Sequence, residues 1–264
     1  MAGNNKVPGR SMLNKISSVF GAFEKLRRPL SLTEIAEGAD LPLSSAHRIV
    51  GEMVEEELLV RTPDNRYQVS LRVWRMGQTV GQQLRETANP YVQDLYSLTG
   101  ETSHLAVRDG RDALYLIRLY GTRRVARSSW TGGRLPLHST AVGKVLLAYE
   151  EPWVQHAFLE GRLDPETKFT LGQPRQLVED WRLTVERGYA TTREEQRVGT
   201  ASIAVPVFHT GKIGAALGLV LPAHQYPSLG RHLPTLQAVS KRIEKATAHI
   251  PLETLLRTTA DDLR

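Results

Sequence analysis

Leu43-Ser44-Ser45-Ala46-His47-Arg48-Ile49-Val50-Gly51-Glu52-Met53 is the stretch on which the fold turns. Leu43, Ala46, Ile49, Val50 and Met53 recur at three- and four-residue spacing, which gathers them into one apolar stripe of an α-helix. The opposite face then carries Ser44, Ser45, His47 and Arg48. Gly38-Ala39-Asp40-Leu41-Pro42 is a tight break ahead of this helix, and Ser31-Leu32-Thr33-Glu34 ahead of the break has the capping-box pattern. There the Ser hydroxyl and the Glu carboxylate each satisfy a backbone amide that the first helical turn leaves free. Ile35, Ala36 and Ala39 continue that short helix. Two helices joined by a short turn, the second polar on its outward face, make a helix-turn-helix.

Working outward, Met12, Leu13, Ile16, Val19, Phe20 and Phe23 predict a first helix that stops near Pro29. On the other side, the strand-like runs 58–62 and 67–70 flank Pro63-Asp64-Asn65-Arg66, a turn-rich insert that reads as a β-hairpin wing. A winged helix-turn-helix over residues 11–70 follows, with polar residues 1–10 expected to be disordered. Residues 71–84 again look helical, with Val73, Trp74, Met76 and Val80 available for packing and no Pro- or Gly-rich linker. A linker helix over 71–88 is therefore expected to lead into a second domain.

The second half, 89–250, changes texture. Strand-like runs at 103–107, 113–117, 203–208 and 213–221 alternate with helical patterns at 90–98, 141–149, 176–187 and 230–249. His209-Thr210-Gly211-Lys212 joins two of the strands as a hairpin turn. The fold class is α/β in the broad sense that includes α+β, a sheet with helices on its faces. The tail 251–264 has no clear packing partner.

Bulk properties set the functional frame. A chain of 264 residues, 41% hydrophobic, favours two domains, and a formal net charge of +6 favours polyanion partners. The absence of cysteine removes disulfides, thiol nucleophiles and thiolate zinc sites. No signal peptide is recognisable, and no run reaches the roughly 18 apolar residues of a membrane span, so a cytoplasmic location without membrane contact is expected. Double-stranded DNA is the partner that fits. Arg48 can bond a guanine edge with its planar fork, Ser44 and Ser45 near the helix start suit phosphates or either base type, and His47 shares their face. Arg66 at the wing tip and Lys15 on the first helix are candidates for backbone or minor-groove contacts. The acidic run Glu55-Glu56-Glu57 is expected to face away from DNA.

No catalytic constellation emerges. Gly143-Lys144 opening a helix hints at a phosphate loop, but His138 stands where that motif's first Gly belongs and Val145 where its Ser or Thr belongs. Helix capping accounts for Ser139 beside His138. His104, His138 and His209 lack metal-ligand spacing and read as satisfied or surface histidines. No cofactor, metal or catalytic residue is expected.

Three separated segments carry a family resemblance: Leu41 through Val50 of the third helix, Gly132-Gly133-Arg134-Leu135-Pro136-Leu137-His138-Ser139-Thr140-Ala141-Val142-Gly143-Lys144 continuing to Ala148, and Arg187-Gly188-Tyr189-Ala190-Thr191-Thr192 continuing to Glu195, followed by Ser202 through Val207. In this order they resemble the landmarks of the IclR family of bacterial regulators, from about Met12 to His249. The resemblance implies a winged helix-turn-helix that dimerises on operator DNA, a linker helix, a GAF-like effector domain, and assembly as a homodimer or dimer of dimers. It also implies a ligand pocket on Arg124, Arg127, Ala141, Val142, Thr192, Thr200, Ser202, Gly218 and Val220. Thr192 replaces an acidic residue common in the family, and Gly218 and Val220 replace small polar ones. That loss of negative charge, together with Arg127, points to a carboxylate effector, a small organic acid that includes aromatic ones, with Arg127 as its partner. The alternatives are an enzyme with an accessory DNA-binding segment, and a general nucleic-acid binder whose second half only oligomerises.

Overall fold

The computed structural model describes residues 10–121 and 130–250. Arg124 and Arg127, the first nine residues and the tail 251–264 lie outside the described residues. The chain divides into two compact units at Val80/Gly81.

The first unit runs α1 (Met12–Leu26), α2 (Leu32–Gly38), α3 (Leu43–Glu55), β1 (Leu59–Arg61), β2 (Tyr67–Val69) and α4 (Leu71–Gln78). The capping box forms as its sequence dictates: the Ser31 hydroxyl accepts from the Glu34 amide, and the Glu34 carboxylate accepts from the Ser31 amide. β1 and β2 pair antiparallel, and Leu30 adds a bridge to Tyr67, so the wing is sewn to the chain just ahead of α2. Val19, Phe23, Leu30, Ile35, Ile49, Met53 and Leu59 close one core. Three residues of the expected stripes stay outside it: Leu13 is 79% exposed, Leu43 53% and Met12 37%, because each sits in the first turn of its helix.

The connector departs from the single helix expected over 71–88. α4 ends at Gln78, Gly81 adopts a left-handed backbone with φ 59°, and α5 (Gln82–Thr99) begins after it, running through Pro90. Pro90 is tolerated here although it removes one amide from the helix ladder.

The second unit is a six-stranded antiparallel sheet in the order β5-β4-β3-β8-β7-β6. Its strands are β3 (Thr102–Asp109), β4 (Asp112–Leu119), β5 (Arg134–Pro136), β6 (Ala190–Arg193), β7 (Thr200–His209) and β8 (Lys212–Pro222). The hairpin turn read at 209–212 is present, with His209 paired to Lys212. β5, β6 and α7 (Pro152–Glu160) were not foreseen; β5 and β6 have only three and four residues, too short for a period to show.

Strand alternation builds two different faces. Leu105, Val107, Ile203, Val205, Leu217 and Leu219 point one way and pack against α5 and α9 (Leu233–Thr247). Ala106, Ala190, Ala204, Ala216 and Gly218 point the other way, towards α6 (Ala141–Ala148), with α7 and α8 (Pro174–Arg187) outside it. Small side chains on that face let α6, buried along its whole length, lie close to the sheet. The N-cap of α6 is Thr140, not Ser139. The Thr140 hydroxyl accepts from the Gly143 amide at 3.1 Å, while Ser139 turns back to the Pro136 carbonyl.

Gly143-Lys144 is structural here. A Cβ on Gly143 would lie 2.2 Å from the Leu137 carbonyl oxygen, so the glycine answers to a close backbone approach. Lys144, 1% exposed, is held at 2.8 Å by Glu195 and at 3.4 Å by Asp180.

Candidate DNA interface and candidate effector cavity

α3 presents Ser44, His47 and Arg48 to solvent, with Ser45 half-buried beside them. The Arg48 guanidinium pairs with Glu52 one turn on, on the same outer face. Lys15 is half-buried on α1. Arg66 is turned inward: its Nη1 reaches Glu34 at 3.0 Å and its Nε lies 3.6 Å from Asp64. Glu34 thus binds three groups at once, the Ser31 amide, Arg28 at 2.6 Å and Arg66, and fastens the wing to the start of α2. Arg61, exposed on β1, is a further wing cation that sequence reasoning passed over.

Arg28 first, then the Ser31 amide and hydroxyl, hold the Glu34 carboxyl down at about 2. A depressed carboxyl contributes its full stabilisation above its unfolded value and loses it progressively as pH falls from there through the folded one. Wing amides should therefore keep their protection from pH 8 down to about 5.5 and lose it progressively as pH falls from about 5 towards 2. In Glu34→Gln they should exchange several-fold faster at pH 7, as hydrogen-exchange NMR would read. Equal protection in the variant would remove the fastening role.

In the second unit, Ala141, Val142, Thr200, Ser202 and Val220 line one cavity with His104, Tyr115, Arg118, Leu135, Thr140 and Gln196. About 20 Å³ is left open, space for one water. Cross-strand pairing explains the convergence: Thr192 pairs with Ser202 and Ser202 with Val220, while Ala204, Gly218, His104 and Arg118 form the next row. Thr192 therefore shares the cavity's face without lining it. Gly218, on the same face, does not line it either: an added Cβ there would meet His104 Nε2 at 2.7 Å and Val142 Cγ1 at 3.0 Å, so the glycine lets those two lining side chains close in over the sheet.

Three lining groups carry the polarity and were missed in the sequence. Arg118 is 8% exposed; its guanidinium lies 5.2 Å from the Tyr115 ring centre and 5.7 Å from that of Tyr120. Burial pulls it below its ordinary value, yet an arginine stays charged at neutral pH. Burial, helped by the Arg118 charge, holds His104 well below the usual imidazole value, so the ring is neutral. Burial pushes the Tyr115 phenol up to about 12. The reading of all three histidines as satisfied or surface groups holds for His138, whose Nε2 meets the Asp164 carbonyl at 2.9 Å. It fails for His104 and His209, which are buried with Nδ1 and Nε2, respectively, lacking a partner among the described residues.

Residues 76–245 match the family described as bacterial transcriptional regulator IclR C-terminal, and residues 13–63 match the IclR helix-turn-helix domain. The chain belongs to the IclR family. Among curated IclR-type relatives, the HTH-type transcriptional regulator XynR of Escherichia coli is 31% identical, over 76% of this chain and 82% of its own. KdgR of Dickeya chrysanthemi is 28% identical, over 83% and 74%. Among solved structures, an IclR homolog from Microbacterium hydrocarbonoxydans complexed with 4-hydroxybenzoate superposes with a TM-score of 0.83 at 28% identity, covering 89% of this chain and 98% of that one. The Thermotoga maritima IclR superposes with a TM-score of 0.72 at 26% identity, over 90% and 100%. The expected fold, a DNA-binding helix-turn-helix followed by an α/β domain of the IclR type, is thus the observed one. No helix among the described residues is long and apolar enough to cross a membrane.

Proposed function

We propose that this IclR-family regulator binds specific operator DNA through α3 and the wing and is controlled by a small organic acid bound in the α6-side cavity. The observation that carries the proposal is the composition of that cavity among the described residues: one cation, four hydroxyls, one side-chain amide, one imidazole, apolar walls, and no carboxylate. It suits an anion and repels none. The N-terminus of α6 adds the positive end of its dipole and the free amides of its first turn. The likeness to a homolog complexed with 4-hydroxybenzoate supports an acid of this class. On this reading Ala141, Val142, Thr200, Ser202 and Val220 touch the effector, Thr192 and Gly218 shape its bed, and Arg124 and Arg127 contribute from outside the described residues.

On DNA, Ser44, Ser45, His47 and Arg48 enter the major groove while Lys15 and Arg66 hold the backbone. A second copy of the chain supplies the second half-site. α4 supports that assembly, since Leu71, Trp74, Met76 and Val80 on and just beyond it are half-exposed or more and need a cover. The effector acts by binding one arrangement of the assembly better than another, which requires different affinities for the two. Relatives named as transcriptional regulators favour this reading over the enzyme alternative, and a regulator of chromosomal DNA works in the cytoplasm.

A gel shift with the DNA upstream of the protein's own gene, under excess competitor DNA, tests the reading. The expected result is a specific shift whose affinity or footprint changes with saturating 4-hydroxybenzoate, benzoate or pyruvate. A shift erased equally by any DNA, or a footprint unchanged by every acid, would overturn it.

A further inference from the structure

We infer that Arg118 is the residue that binds the effector's carboxylate, receiving it on the unfilled donors of its guanidinium inside the cavity, and that it thereby makes the site select acids over neutral analogues. The inference rests on the organic-acid reading above and names its recognising group.

The geometry has three parts. First, Arg118 is a buried cation: no carboxylate pairs with it among the described residues, and its Nε and Nη1 have no hydrogen-bond partner there. A guanidinium left in that condition is costly, and an unfilled N–H of a buried cation is a strong donor to a carboxylate oxygen. Second, it is aimed by a β-bulge. Leu105 pairs with Ile117 but Ala106 pairs with Tyr115, so Leu116 is the extra residue, and Tyr115 and Arg118 face the same side although they stand three apart. Third, its surroundings prevent internal neutralisation. His104, across the sheet from Arg118, is neutral, and the Tyr115 phenol keeps its proton, so neither can serve as a counter-ion. The Tyr115 and Tyr120 rings stabilise the cation only partly, through their faces. None of the described residues supplies the missing charge, and the carboxylate of a ligand would. Because the open space is about 20 Å³, the incoming acid is small or displaces side chains such as Gln196 at the cavity wall.

Calorimetry on the full-length protein with acetate, pyruvate, benzoate and 4-hydroxybenzoate, and with benzamide as the neutral counterpart of benzoate, tests this. The wild type should bind at least one acid and prefer benzoate to benzamide. Arg118→Met should weaken the acid about 30-fold or more and abolish the preference, and Arg118→Lys should recover only part, since an ammonium lacks the fork. Ligand-free melting separates this from a structural role. Removing an unpaired buried cation should leave the melting temperature of Arg118→Met unchanged or raised, whereas an arginine needed for packing would lower it. A wild type that binds none of the four acids would overturn the organic-acid reading and this assignment with it. A wild type that binds an acid which Arg118→Met binds equally well, while Arg127→Ala does not, would overturn the assignment of Arg118 alone.

Discussion

Lys144→Met should destabilise the C-terminal domain by about 3–5 kcal/mol, the usual cost of removing one partner from a buried ion pair. The side chain is 1% exposed and is the largest fully buried one, and methionine nearly fills its volume, so the loss is one of charge rather than of packing. What remains is Glu195, 8% exposed, and Asp180, with no cation between them. For a domain of this size the melting temperature should fall by about 10 °C or more. Two further results distinguish the cause. Lys144→Met combined with Glu195→Gln should recover much of the loss, because a neutral amide does not demand a counter-charge. Burial already pushes the Glu195 carboxyl up, against the opposing pull of Lys144. A carboxyl raised by folding opposes folding when it must ionise, so the deficit of Lys144→Met should be largest at neutral pH and shrink as pH falls towards the carboxylate range. Denaturant melts at pH 7 and pH 5 measure both, and a deficit independent of pH would mean that packing, not charge, was lost.

Lys144 also illustrates what the sequence could carry. Read in one dimension, Gly143-Lys144 suggested a phosphate loop that lacked its other members. The carboxylates that explain it lie 36 and 51 positions further on, at Asp180 and Glu195, and only the fold brings them together. The N-terminal unit was legible because its signals are local: a cap and its reciprocal acid three residues apart, an apolar stripe of one helix, a turn between two short strands. The helices and longer strands of the second unit were legible for the same reason. The members of the cavity were not. Ala141, Val142, Thr200, Ser202 and Val220 came from resemblance to a family, while His104 read as a satisfied or surface histidine and Tyr115 and Arg118 gave no signal at all. Strand β4 reads as a nearly continuous apolar run, and the one-residue bulge that turns Arg118 inward leaves no mark in composition or period.

The second large effect lies on the DNA face. Arg48→Ala should cost about 1–3 kcal/mol for each recognition helix that reads a guanine, and about twice that on an operator with two half-sites. Arg48 is not idle in the free protein, since it pairs with Glu52. Both groups are about half exposed, and an exposed pair one helical turn apart contributes only about 0.3–0.5 kcal/mol, so a guanine edge outcompetes it. Glu52 then becomes a like charge beside the phosphates, and Glu52→Gln should bind operator as tightly as the wild type or more tightly while losing some discrimination against random DNA. Arg48→Lys should not restore specificity, because one ammonium cannot make the paired bonds of the guanidinium. Lys15→Ala should behave differently again: if Lys15 meets a phosphate, its removal weakens specific and random DNA alike and lowers the salt slope by about 1 for each phosphate no longer neutralised. Anisotropy titrations of operator and scrambled duplexes at two salt concentrations separate these cases. If Arg48→Ala weakened both duplexes equally, α3 would be gripping the backbone, and the reading of bases would have to be sought on the wing, where Arg61 is exposed and Arg66 would first have to leave Glu34.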